Sequence, residues 1–122
     1  LLEGLRFVER KGPASILEHE RRLALRAVRG LERIPGVEVF ASPNLVNQTG
    51  VVSFRVPDAD CEAIAERLGE ADIAVRAGLH CAPLAHRSAG TFESGTVRAS
   101  FSAFNQPWEV DRFVAELSRR KA

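Results

Sequence analysis

A chain of 122 residues, 45% hydrophobic and 27% charged, is long enough for one domain with one ordinary core. Its 17 basic and 16 acidic side chains leave a formal net charge of +1, which gives no case for a nucleic-acid surface or an anionic membrane patch. No apolar run approaches the roughly 18–20 residues of a membrane span, and Leu1-Leu2-Glu3-Gly4 is not the basic-then-apolar start of a signal peptide. Two cysteines, Cys61 and Cys81, are too few for a disulfide scaffold, so reduced thiols and a cytoplasmic setting are expected. There is no methionine, and a piece of a longer protein is expected.

In chain order, Leu2, Leu5 and Val8 space a first helix that Lys11-Gly12-Pro13 breaks. From Ala14 to Arg33, Ile16, Leu23, Ala27 and Leu31 recur at helical spacing, and Ile34-Pro35-Gly36 ends the pattern. Val37 to Phe40 reads as a short strand, and Ser42-Pro43-Asn44 as a turn. Val51 to Val56 is a stronger strand, with Val52, Phe54 and Val56 on one face. Ala59 to Leu68 is a short helix with Asp58 or Asp60 as its cap. Its stripe of Cys61, Ile64, Ala65 and Leu68 makes Cys61 a small buried hydrophobe.

Asp72 to Arg76 is expected to be a strand, after which Gly78 permits a sharp change of direction. Residues 82–95 are expected to hold little regular structure. Thr96 to Phe101 is the last strand, with Val97, Ala99 and Phe101 toward the core and Thr96, Arg98 and Ser100 away from it. Pro107 opens a final helix whose stripe is Val110, Phe113, Val114 and Leu117, with Arg119, Arg120 and Lys121 at its carboxyl end. The sum is an α+β domain: a small, mostly antiparallel four-stranded sheet with helices packed on one face.

Strand parity places Arg76 and Arg98 together on the non-core face. Two guanidinium groups suit a small anion such as a carboxylate, though parity alone points rather to surface carboxylates as their partners. Cys81 lies in a loop beside His80, and nearby positive charge raises the thiolate fraction of such a thiol. An inert loop cysteine is the alternative. His80, Cys81 and His86 are three possible metal ligands within seven residues, but no fourth ligand completes a structural zinc site, and no metal is expected.

The segment Arg76-Ala77-Gly78-Leu79-His80-Cys81-Ala82 resembles the active-site cysteine motif of group II cysteine desulfurases and selenocysteine lyases. These are pyridoxal-phosphate enzymes of the class V aminotransferase fold. Gly95-Thr96-Val97-Arg98-Ala99-Ser100, Phe104-Asn105 and Glu109-Val110-Asp111 resemble the family's last strand and helix. Gly4-Leu5-Arg6-Phe7-Val8, His19-Glu20 and Pro35-Gly36-Val37 resemble the helix entering its C-terminal small domain.

The resemblance implies that residues 1–122 are that small domain, with 1–12 as an interdomain connecting segment. It implies Cys81 as the nucleophile that takes sulfur from L-cysteine and carries a persulfide. His80 would assist, Arg98 would hold the substrate carboxylate, and Arg76 would line the same pocket. It further implies a homodimer when full length and a sulfur-acceptor protein. The lysine that pyridoxal phosphate requires is not matched by Lys11 or Lys121, so the cofactor-binding large domain is expected to be missing and this chain alone inactive. Alternatives are a class V enzyme of other specificity, a stand-alone persulfide relay without pyridoxal phosphate, or a regulatory or dimerising domain with an inert cysteine.

Overall fold

The computed structural model describes residues 1–119; Arg120 and Lys121 of the basic tail lie outside them. Helix α1 (Leu2–Lys11) leads into α2 (Pro13–Leu31), then β1 (Glu38–Phe40) and a single 3₁₀ turn at Pro43–Leu45. Next come β2 (Val51–Arg55), α3 (Cys61–Glu70), β3 (Arg76–Gly78) and α4 (Pro83–Ala89), and last β4 (Thr96–Ser100) and α5 (Pro107–Ser118). The four strands form one sheet in the order β1-β2-β4-β3. Every neighbouring pair is antiparallel, as the α+β reading expected.

Helices α2, α3 and α5 cover one face of this sheet. Their stripes supply Ala24, Val28 and Leu31, then Ile64 and Leu68, then Phe113 and Leu117. These meet Val52 and Phe54 of β2 and Val97 and Ala99 of β4. Phe54 and Phe113 pack edge-on with centroids 5.8 Å apart, which joins β2 to α5. Burying each such large side chain stabilises the fold by about 1.5–3 kcal/mol. Asp60 rather than Asp58 caps α3, its carboxylate accepting from the Glu62 N–H at 3.0 Å. Gln106 and Glu109 form a reciprocal capping box at the start of α5. Among the described residues no helix is long and apolar enough to cross a membrane.

Three expectations need correction. The third strand is Arg76–Gly78, not 72–76. The end of α3 takes the earlier residues: the Ile73 N–H donates to Leu68 O at 2.9 Å, and Asp72 has a left-handed φ of 58°. Ile73 and Val75 still pack on the core without joining the ladder. Residues 82–95 hold helix α4, because Pro83 stands in its first turn and Gly90, in the left-handed conformation, ends it. Thr96 is 3% exposed although its parity faces away from the core. The segment carrying α4 lies over that side, tied to β4 through His80 and to β2 by Arg55, which donates to Gly90 O at 3.2 Å.

The junction of β3 and β4 is tight. A Cβ at Gly95 would stand 3.0 Å from Cys61 Sγ and 3.1 Å from Gly78 Cα, and Gly95 has φ +60°. Gly95→Ala is therefore expected to cost about 2–4 kcal/mol, from left-handed strain plus overpacking, read as a lower urea midpoint. An unchanged midpoint would show that the two backbones separate freely.

Candidate active site

The peptide between β3 and α4 turns within four residues. His80 and Cys81 both have left-handed backbones, φ 51° and 59°, and the Ala82 N–H donates to Leu79 O at 2.9 Å. This is the pattern of a type I′ turn, whose two central positions favour glycine or asparagine. Histidine and cysteine there cost about 1–2 kcal/mol each. Strain of this kind persists only where the surroundings impose it, and it clusters at functional sites. Strand β3 ends at Gly78, two residues before His80, and α4 begins at Pro83, two residues after Cys81, so the chain has no room for a wider bend. The result is an exposed thiol at the tip of a strained turn. Cys61, by contrast, is buried in the core, and both thiols are free.

His80 anchors the turn to the sheet. Its Nε2 lies 3.2 Å from the Thr96 carbonyl oxygen and 3.3 Å from the Thr96 hydroxyl. A carbonyl only accepts, so these partners assign the proton to Nε2 and leave Nδ1 with its lone pair. Burial, and then the neighbouring Arg98, His86 and Arg76, hold this imidazole below the usual histidine range, against the opposing pull of the Thr96 carbonyl. These surroundings favour the neutral form of His80, whose Nδ1 keeps its lone pair.

Register brings the arginines together. Arg76 pairs directly with Arg98, which on its other side pairs with Ser53, itself opposite Phe40. Like charges placed directly across a ladder repel. Neither Arg76 nor Arg98 forms an ion pair among the described residues, and Arg98 Nε is buried without a hydrogen-bond partner. Elsewhere the fold does pair its arginines: Arg26 grips Asp111 through two bonds of 2.6 and 2.7 Å, and Arg55 meets Glu38 at 2.7 Å. An unpartnered, partly buried guanidinium beside a second one is chemically suited to a carboxylate, which can take two parallel N–H bonds.

Among the described residues no group of three or more His, Cys, Asp or Glu side chains could hold a metal ion. The imidazoles of His80 and His86 turn instead to Thr96 and Thr91. Nor do the described residues fit pyridoxal phosphate, which needs a lysine for its Schiff base. Lys11 is exposed at the end of α1, and Lys121 lies outside the described residues. The sequence reading also missed α4, with the buried His86 and Thr91. The signal was there in Pro83 and Gly90, a helix-opening proline and a closing glycine seven residues apart.

The domain thus combines an antiparallel α+β fold with a strained, exposed cysteine and an arginine couple that has no carboxylate partner among the described residues. The chain belongs to the aminotransferase class-V family, which matches residues 1–113. It is similar to probable cysteine desulfurase 2 of Mycobacterium leprae (strain TN), 37% identical over 119 residues, covering 98% of this chain and 28% of that protein. A probable cysteine desulfurase of Pyrococcus abyssi (strain GE5 / Orsay) is 37% identical over 118 residues, with 96% of this chain and 28% of that protein covered. Among solved structures, the apo cysteine desulfurase of Thermococcus onnurineus NA1 superposes with a TM-score of 0.88 at 36% identity, over 94% of this chain and 28% of that one. The chain thus spans 28% of the length of these relatives.

Proposed function

We propose that this chain is the thiol-bearing C-terminal small domain of a cysteine desulfurase, which converts L-cysteine to L-alanine and keeps the sulfur as a persulfide on Cys81. The observation that carries this reading is an exposed cysteine on a strained turn whose preceding residue, His80, faces an arginine couple with no carboxylate of its own. Arg98, with Arg76 beside it, grips the substrate carboxylate and so directs the substrate side chain. His80 takes the Cys81 proton at Nδ1, leaving the thiolate that attacks the substrate sulfur. The carbon–sulfur bond breaks, a sulfur–sulfur bond forms, and the carbon keeps the electron pair and gains a proton. L-cysteine plus the thiol thus gives L-alanine plus the persulfide, with no external oxidant. Pyridoxal phosphate, held by parts of the enzyme outside this chain, supplies the electron sink for bond cleavage.

Residues 1–12 are the connecting segment to those parts. Leu2 and Leu5 are each 60% exposed on α1 and Val8 41%, an apolar face suited to cover by the rest of the enzyme. The full-length enzyme acts as a homodimer and passes sulfur to an acceptor protein. The free thiols suit the reducing cytoplasm. A stand-alone relay is disfavoured because the relatives are several times longer. A class V enzyme of other specificity would have no use for the exposed thiol.

The test is to supply the full-length protein with pyridoxal phosphate and L-cysteine, then measure alanine and, after reduction, sulfide in equal amounts. Alanine without enzyme-bound sulfur would remove Cys81 from the mechanism. The 122-residue chain alone should release neither product and show no absorbance band of a bound pyridoxal; a stable band would contradict the division of the site.

A further inference from the structure

His86 is a titratable group that the reaction above does not use. It sits in α4, buried to 7% exposure, with Nδ1 2.8 Å from the hydroxyl of Thr91, itself 1% exposed. Burying an imidazole costs more than burying leucine unless its polar atoms are matched, so a histidine here needs a reason. Thr91 matches one nitrogen and also donates its N–H to His86 O at 2.9 Å, fixing both ring and backbone. The His86 N–H donates to Ala82 O at 3.1 Å, one residue beyond Cys81. On its other side, the His86 ring centroid lies 5.9 Å from that of His80, tilted by 42°. A continuous clamp therefore runs from Thr91 through His86 and His80 to Thr96 on β4, across the turn that carries the thiol.

We infer that His86, oriented by Thr91, is a positioning residue that buttresses His80 and through it sets where the Cys81 thiol stands at the start of sulfur transfer. The left-handed pair at His80 and Cys81 needs such support, because an unsupported turn would relax toward an ordinary backbone and carry the thiol away. The groups facing His80 are Arg98 on β4, Arg76 on β3 and His86 on α4, all positive or neutral, with the Thr96 carbonyl opposing them. No carboxylate contributes. A His80 ring that swings out from between them gives up its bonds to Thr96, and the turn that carries the thiol loses its anchor on the sheet.

This inference rests on Cys81 being the reactive thiol, and its test needs no desulfurase activity. In the full-length protein, Cys81 alkylation by iodoacetamide is followed by mass spectrometry near pH 7 and near pH 10, where any thiol is largely ionised. Thr91→Val removes the hydroxyl at constant shape. It is expected to slow alkylation near pH 7 about threefold or more, with little change near pH 10. His86→Leu should do the same, and Thr91→Ser should restore the wild-type profile. With L-cysteine as substrate, the Thr91→Val variant should lose kcat about tenfold while KM stays within about twofold, because Arg98 is untouched.

Equal slowing at both pH values would reduce His86 to a packing role and overturn the inference, as would an unchanged profile in Thr91→Val. Should the full-length protein release no alanine from L-cysteine, the desulfurase reading fails, and the alkylation profile still decides the role of His86.

Discussion

Cys81→Ala in the full-length enzyme is expected to abolish enzyme-bound sulfur and to lower sulfur delivery by about a hundredfold or more, since no other exposed thiol in the described residues can replace the nucleophile. Serine at this position should not rescue it, because a hydroxyl is not ionised near neutral pH whereas a thiol is readily activated. Cys61→Ala should leave sulfur transfer within a few-fold. Its cost falls on the fold, about 1 kcal/mol for a small cavity beneath Gly95. The measurement is enzyme-bound sulfur by intact mass after one turnover, beside urea unfolding of each variant. Equal loss of sulfur in the two variants would overturn the division between a reactive and a packing cysteine.

Arg98→Met should separate function from stability. The substrate carboxylate loses two charge-assisted bonds, each worth about 1.5–3 kcal/mol, so kcat/KM for L-cysteine should fall about a hundred- to ten-thousandfold. Lysine should restore little, having no planar fork to grip both carboxylate oxygens. In the 122-residue chain the same Arg98→Met change removes a buried Nε with no partner and the repulsion from Arg76 across the ladder. Its urea midpoint should therefore rise. A variant that loses both activity and stability would mean that Arg98 serves the fold rather than a ligand.

The site was legible in the sequence to an uneven degree. Arg76 and Arg98 could be put on one face from alternation alone, because side chains in a strand change sides with every residue wherever the strand lies. The packing role of Cys61 followed from its stripe with Ile64 and Leu68 for the same kind of reason. The third strand was misplaced because Ile73 and Val75 do face the core; only the closing bonds of α3 show that they lie outside the ladder. Helix α4 is a single short element of seven residues, too brief for periodicity to announce.

The sequence by itself determined the α+β class, the three core-facing helices, the separation of two cysteines into buried and exposed, and the face that holds the arginines. All of these follow from local spacing, where each residue's side is set by its neighbours along the chain. Tertiary structure alone decided that His80 and Cys81 bend into a left-handed pair, that Thr96 is covered, that His86 turns to Thr91, and that Arg98 keeps a buried nitrogen unpaired. Those outcomes depend on contacts that no local pattern encodes, such as His80 to Thr96, 16 positions apart, and Arg55 to Gly90, 35 apart.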